Sequence, residues 1–143
     1  MKKIVFALFT LGIFACQTAD QSNLSQADKE KATRDTANFT SITWLDSTVK
    51  DLGKIKEGQV VEVSYRFRNS GTKNLIIANV SASCGCTVPE KPEKPYAPGE
   101  EGIIKAKFDS KGRRGPARKD VYVTANTTPQ TSIPLVFTVE VIE

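Results

Sequence analysis

The chain of 143 residues contains no histidine, which excludes every nucleophilic scheme built on an imidazole, Ser-His-Asp and Cys-His alike. Its 20 lysines and arginines against 16 aspartates and glutamates give a net charge of +4, too small a surplus to point to nucleic acid. Apolar residues make up 39%, enough for one sizeable core in a chain of this length.

Lys2 and Lys3 precede a twelve-residue apolar run, Ile4 to Ala15. That run is far short of the ~20 residues that span a bilayer and has the length of a signal-peptide core. It ends Ile13-Phe14-Ala15-Cys16, a small residue directly before a cysteine. The stretch resembles a bacterial lipobox, in which the cysteine is diacylated, the peptide is cut before it and the new amino group is acylated; Phe14 is bulkier than the residue usual at its place. The resemblance implies that residues 1–15 are removed on export and that Cys16 anchors the protein to a bacterial membrane, several acyl chains giving stable attachment. An ordinary cut near Ala15 would instead leave Cys16 as a lone exposed thiol. Either cut removes Lys2 and Lys3, leaving 18 basic against 16 acidic residues and a net charge of +2.

Gln17 to Asn38 is polar, with Leu24 its one large apolar residue. Such a stretch cannot bury enough apolar surface to offset the entropy of ordering it. Residues 16–38 therefore read as the lipidated cysteine and a flexible tether, with a random-coil reach of about 25 Å. The alternative is a short helix over residues 26–34.

From Phe39 the pattern changes to period two, and residues 39–143 read as one domain. Val61, Val63, Tyr65 and Phe67 alternate with Glu62, Ser64, Arg66 and Arg68, the mark of a half-buried strand. Asn69-Ser70-Gly71-Thr72-Lys73 supplies turn residues. Leu75 to Val80 is more continuously apolar, as in a strand covered on both faces. Ile104, Ala106 and Phe108, then Val121, Val123 and Ala125, then Leu135, Phe137, Val139 and Val141 each mark one strand face. With weaker strands near 42–45 and 51–55, seven or eight strands are expected, the size of an all-β, immunoglobulin-like sandwich. Trp44 and Tyr65 are expected in or beside its core.

Two stretches carry chemistry. Cys84-Gly85-Cys86 is too tight to join opposite sheets. Cα atoms two residues apart lie about 5.5–7 Å from each other, which overlaps the disulfide range, and Gly85 is expected to give the backbone freedom for closure. Three chemistries stay open: a local disulfide or two inert thiols shaping a turn, a redox-active dithiol, and a two-sulfur clip for a soft metal such as copper(I). A closed zinc site needs four ligands of a kind this chain hardly offers. The second stretch is Ser110 to Lys119, where Lys111, Arg113, Arg114, Arg118 and Lys119 put five basic residues in a ten-residue loop. Such a loop can touch anionic headgroups or acidic glycan, or be a solvated hairpin. Asp35-Thr36-Ala37 and Asp46-Ser47-Thr48 resemble a three-residue O-glycosylation acceptor of some Gram-negative bacteria.

The run Tyr65-Arg66-Phe67-Arg68-Asn69-Ser70-Gly71, then Leu75-Ile76-Ile77, then Cys84-Gly85-Cys86-Thr87-Val88-Pro89 resembles the bacterial family catalogued as domain of unknown function 1573. Pro98-Gly99-Glu100, Phe108-Asp109-Ser110, Gly115 with Lys119, and Val123 to Asn126 continue the pattern in order. The resemblance implies an immunoglobulin-like fold similar to hydin-type domains and an exported, often lipid-anchored protein; it implies no activity and no catalytic residue. The expectation is a non-enzymatic envelope protein, anchored through Cys16, that binds another envelope protein or a glycan through its strand edges and the 110–119 loop. Thiol redox chemistry or copper handling at Cys84 and Cys86 is the alternative.

Overall fold

In a computed structural model, which describes residues 24–143, two four-stranded sheets face each other. One has the order β1 (Ile42–Trp44), β3 (Val60–Asn69), β6 (Glu101–Asp109), β5 (Thr87–Glu90), and the other β2 (Val49–Lys56), β8 (Ser132–Ile142), β7 (Gly115–Ala125), β4 (Ile77–Ala82). All neighbours are antiparallel except β2 and β8, which run parallel. The expected sandwich is the observed one, with eight strands.

Period-two patterning decides which side chains fill the space between the sheets. Along β3, Val63, Tyr65 and Phe67 are buried while Glu62, Arg66 and Arg68 face water. Phe108 and Phe137 meet edge to face across the layers at 5.8 Å, and Phe67 meets Tyr96 at 4.9 Å, the geometry that ring quadrupoles favour. The buried phenol of Tyr65 donates to the Val136 carbonyl at 2.8 Å, and burial pushes its pKa up to about 12. Trp44 is half-buried, edge-on to Phe67 at 5.8 Å. The outer face of the β1–β3–β6–β5 sheet carries ion pairs between neighbouring strands: Glu62 with Lys105, Glu90 with Lys107, Arg68 with Glu101.

Three features depart from the sequence reading. Residues 26–32 do not continue a tether. They form a short helix, α1 (Gln26–Ala32), started by Ser25, whose hydroxyl accepts from Asp28 N–H at 3.2 Å. The helix lies against β4: Ala32 and the Lys29 stem are buried, and Gln26 Nε2 donates to the Ala78 carbonyl at 3.2 Å. Lys91 Nζ also donates to Gln26 Oε1 at 2.6 Å, so two buried side chains and two hydrogen bonds dock the short helix that stood as the alternative to a tether, a signal too sparse to register as periodicity. The helix also accounts for the continuous apolar run in β4, whose Ala78 is buried.

The second departure is the basic stretch. Strand β7 begins at Gly115, so Lys111, Arg113 and Arg114 lie in a short turn while Arg118 and Lys119 belong to a strand paired with Thr138 and Phe137. Pro116 and Arg118 alternate with Ala117 and Lys119, a strand period masked by charge. Third, Gly71 is more than a turn residue. A Cβ there would stand 2.1 Å from Thr40 Oγ1 and 2.5 Å from the Ser41 nitrogen, so its hydrogen is what lets the chain before β1 pass.

Buried asparagines tie the loops at this pole. Asn69 donates to the carbonyls of Lys73 and Tyr96 and accepts from Thr40 Oγ1 at 3.0 Å. Asn126 donates to the carbonyls of Asn38 and Asn74 and accepts from Ile76 N–H at 2.7 Å. Among the described residues no buried side-chain nitrogen or oxygen lacks a partner.

Candidate functional site

The chain crosses from one sheet to the other between β4 and β5, and Cys84-Gly85-Cys86 is the crossing. Cys84 and Cys86 form a disulfide, with Cα atoms 5.4 Å apart. The bridge is the local disulfide of the first reading and equally the oxidised form of a redox dithiol. Backbone bonds fasten the turn to both layers: Ser83 N–H donates to the Asp120 carbonyl of β7 at 3.0 Å, and Asp109 N–H of β6 to the Cys86 carbonyl at 2.9 Å. Both cysteines are half-buried, and Cys86 packs against the core. Gly85 is not at a positive φ, and a Cβ on it would meet nothing within 4 Å. Closure of the ring therefore does not require glycine, contrary to the expectation.

Strand β5 was not foreseen, being four residues with a proline inside. It is also a poorly receptive edge. Asp109 N–H bonding to Cys86 puts Cys86, Val88 and Glu90 toward β6, so Thr87 and Pro89 face out of the sheet. Thr87 N–H is taken by the Cys84 carbonyl at 3.2 Å, and Pro89 has no N–H. No donor faces out at either position, which is how natural sheets blunt an edge. On the same side, α1 covers the β4 edge at Ala78.

The five cations of the 110–119 stretch are divided between a turn and a strand. Arg114 pairs with Glu57 at 3.1 Å and Glu143 at 2.7 Å, and Arg118 with Asp120 at 3.3 Å. Lys119 lies over the Phe108 ring at 5.8 Å, and Lys111 and Arg113 are exposed in the turn. Perturbed groups sit at ladder ends and turns instead. The Arg66 guanidinium and backbone N–H hold the Asp46 carboxyl well below the usual carboxylate range, and Lys94 together with Ala97 N–H lowers Glu100. Asp46 accepts from Arg66 N–H at 3.0 Å just where β1 parts from β3. Each pair terminates a strand or turn, and the two sit apart. Among the described residues, no three His, Cys, Asp or Glu side chains gather where they could hold a metal ion. Of the acceptor-like triplets, Ser47 has its hydroxyl bonded to the Val49 carbonyl at 2.7 Å. The leader and Cys16 lie outside the described residues; within them no helix is long and apolar enough to cross a membrane.

A family model for a protein of unknown function, DUF1573, matches residues 42–141. The chain belongs to the DUF1573 family. Its matched segment starts at β1 and ends in β8, leaving α1 outside. No curated protein matches the chain in sequence. Among solved structures, a protein of unknown function from Porphyromonas gingivalis W83 is similar with a TM-score of 0.63 and 16% identity, over 74% of this chain and 49% of that one. The PapD-like domain 7 of human CEP192 is similar with a TM-score of 0.58 and 11% identity, over 74% and 88%. A secreted serine protease, VesC from Vibrio cholerae, is similar with a TM-score of 0.56 and 10% identity, over 73% and 24%. The chain thus spans about half the length of the first protein and a quarter of the last. At these identities the likeness is one of fold: this DUF1573 member has an immunoglobulin-like, PapD-like sandwich.

Proposed function

We infer that this DUF1573 protein is a lipid-anchored component of a bacterial cell envelope whose sandwich is a non-enzymatic module for binding another envelope protein. The observation that carries the reading is what the surface does with its polar groups. The perturbed carboxyls are engaged by cations at strand and turn ends, and the two sulfurs are joined to each other at the crossing. Asp51, Lys54, Arg118 and Glu140 line an open cavity of ≈ 540 Å³, but there Lys54 pairs with Glu140 at 3.4 Å and Arg118 with Asp120 at 3.3 Å, an arrangement of surface ion pairs and not of an acid and a base facing one reacting group. What the fold leaves available is backbone at strand edges, the currency of strand-addition binding. The lipobox-like Ile13-Phe14-Ala15-Cys16 supports the anchor, and the blunted β5 edge fits a domain that must stay unaggregated while presenting another edge.

Mass spectrometry of the mature protein tests the reading. A lipid-sized increment on the peptide starting at Cys16, lost with release from the membrane in Cys16→Ser, is the expected result. An unmodified leader or a free Cys16 thiol removes the anchor. The same spectra report on the alternative: Cys84 and Cys86 should resist alkylation without reductant, whereas ready alkylation or copper bound in native spectra would move the function to sulfur chemistry.

A further inference from the structure

Strand β1 uses one of its two edges and leaves part of the other open. Leu45 N–H donates to the Arg66 carbonyl and Ser70 N–H to the Ser41 carbonyl, both at 2.9 Å, so Ser41, Thr43 and Leu45 face β3. Antiparallel alternation then turns the N–H and C=O of Ile42 and Trp44 outward. Just before them the outward edge is in use. Thr40 N–H donates to the Asn126 carbonyl at 2.9 Å, and Thr128 N–H to the Thr40 carbonyl at 3.2 Å, a one-residue parallel pairing with Thr127. The chain then turns away at Pro129. Among the described residues nothing takes up the outward groups of Ile42 and Trp44.

Under this edge lies a groove of ≈ 190 Å³, lined by Ile42, Trp44, Thr127, Pro129, Gln130 and Ile133 among others, none of them charged. Its cause is topological. The chain leaves β1 after Trp44 and rejoins the opposite sheet at Val49, beside Val136. The first residues of β8, Ser132 to Leu135, therefore have no strand on that side, and the sandwich stays open between them and β1.

We propose that this groove receives an extended, uncharged segment of a partner protein, which continues the β1 edge where residues 126–128 leave it and seats an apolar side chain on Trp44 and Ile133. The assignment rests on the binding role inferred above and names its surface. The free backbone groups dictate an extended occupant. The uncharged lining dictates its chemistry, since a charged side chain entering there would lose hydration without gaining a partner. A half-buried tryptophan beside an open edge is the residue type on which binding energy concentrates. The chain's own Gln17 to Asn23 has no large apolar side chain to offer.

The test is photo-cross-linking in the full-length protein in its native envelope, with a benzophenone side chain placed at Ile133, Val88, Tyr122 or Lys111 and the adducts mapped by mass spectrometry. The expected result is an adduct from position 133 on an uncharged, apolar-alternating stretch of another protein. Ile42→Pro should weaken it about fivefold, the worth of one net backbone hydrogen bond, because proline is tolerated on an edge whose N–H faces solvent. Ile133→Glu, with the benzophenone moved to Gln130, should abolish it. Adducts only from positions 88, 122 or 111 overturn the groove and leave the binding role standing. Adducts from none of the four overturn both. An adduct from 133 that maps to a charged segment, or to a second copy of this chain, overturns the occupant.

Discussion

On the β4–β5 side of the sandwich the chain itself deals with the outward groups at three positions: Gln26 takes the Ala78 carbonyl, Cys84 takes Thr87 N–H, and Pro89 has no N–H to offer, while Val80 and Ala82 of β4 turn theirs outward. On the β1 side, Asn126 and Thr128 cover Thr40, and then Ile42 and Trp44 are left. The conspicuous sequence motif lies beside the blunted β5 edge, the uncharged groove beside the open stretch of β1. The distinctive motif thus sits where the chain passes between the layers, while the open backbone of β1 belongs to ordinary residues.

The largest effect is expected where the open side is held in place. Gly71→Ala would force a Cβ to 2.5 Å from the Ser41 backbone, and should destabilise the fold by about 3 kcal/mol, the upper range for overpacking, read as a lowered urea midpoint. An unchanged midpoint would mean that the chain before β1 yields easily and the edge is not rigidly presented. Asn126→Ala comes next. It strands two loop carbonyls and the Ile76 N–H, at a cost of about 2–3 kcal/mol.

Breaking the crossing between β4 and β5 should cost less. A ring closed over so few residues restrains little of the unfolded chain, so Cys84→Ser with Cys86→Ser should leave cooperative folding intact and lose about 1.5 kcal/mol. Loss of cooperative unfolding would show that the crossing, and not core burial, holds the two layers together. Gly85→Ala should shift stability by no more than about 0.5 kcal/mol, the counterpart of Gly71 within the same family pattern.

The end of β1 is held electrostatically. Arg66 holds the Asp46 carboxyl below its ordinary range, so the folded protein binds that proton less readily than the unfolded chain. The stabilisation is present above the unfolded carboxyl pKa of ~3.9 and is lost as pH falls through the lower folded value. Asp46→Asn should therefore lower stability at neutral pH, where the charged pair is intact, and flatten the acid limb below about pH 4, so that the two proteins converge as the pH falls; equal stability at neutral pH with an unaltered acid limb would show that the pair contributes nothing measurable.

Much of the fold was legible because alternation is a direct image of burial. Val63, Tyr65 and Phe67 announce β3, and the β8 valines its inner face. The seven strands marked by apolar patterning all appear. Strand β5 was hidden by Pro89 and its brevity, whereas α1 appears as the short helix that composition allowed beside a tether over residues 26–34. The start of β7 was hidden because Arg118 and Lys119 read as loop although their backbone is laddered to β8. The candidate site was less legible still. Cys84 and Cys86 drew attention through rarity, but the groove depends on where the chain changes sheets, and no local pattern around Ile42, Trp44 or Ile133 encodes that.

Residue-resolved amide hydrogen exchange on the full-length protein tests whether β5 is blunted at Thr87 and β1 open at Ile42 and Trp44. The account predicts alternation along β1, with Thr40, Thr43 and Leu45 protected and Ile42 and Trp44 exchanging fast, while Thr87 on the opposite side is protected. Protection of all five β1-region amides would contradict it, because the edge would then already be covered.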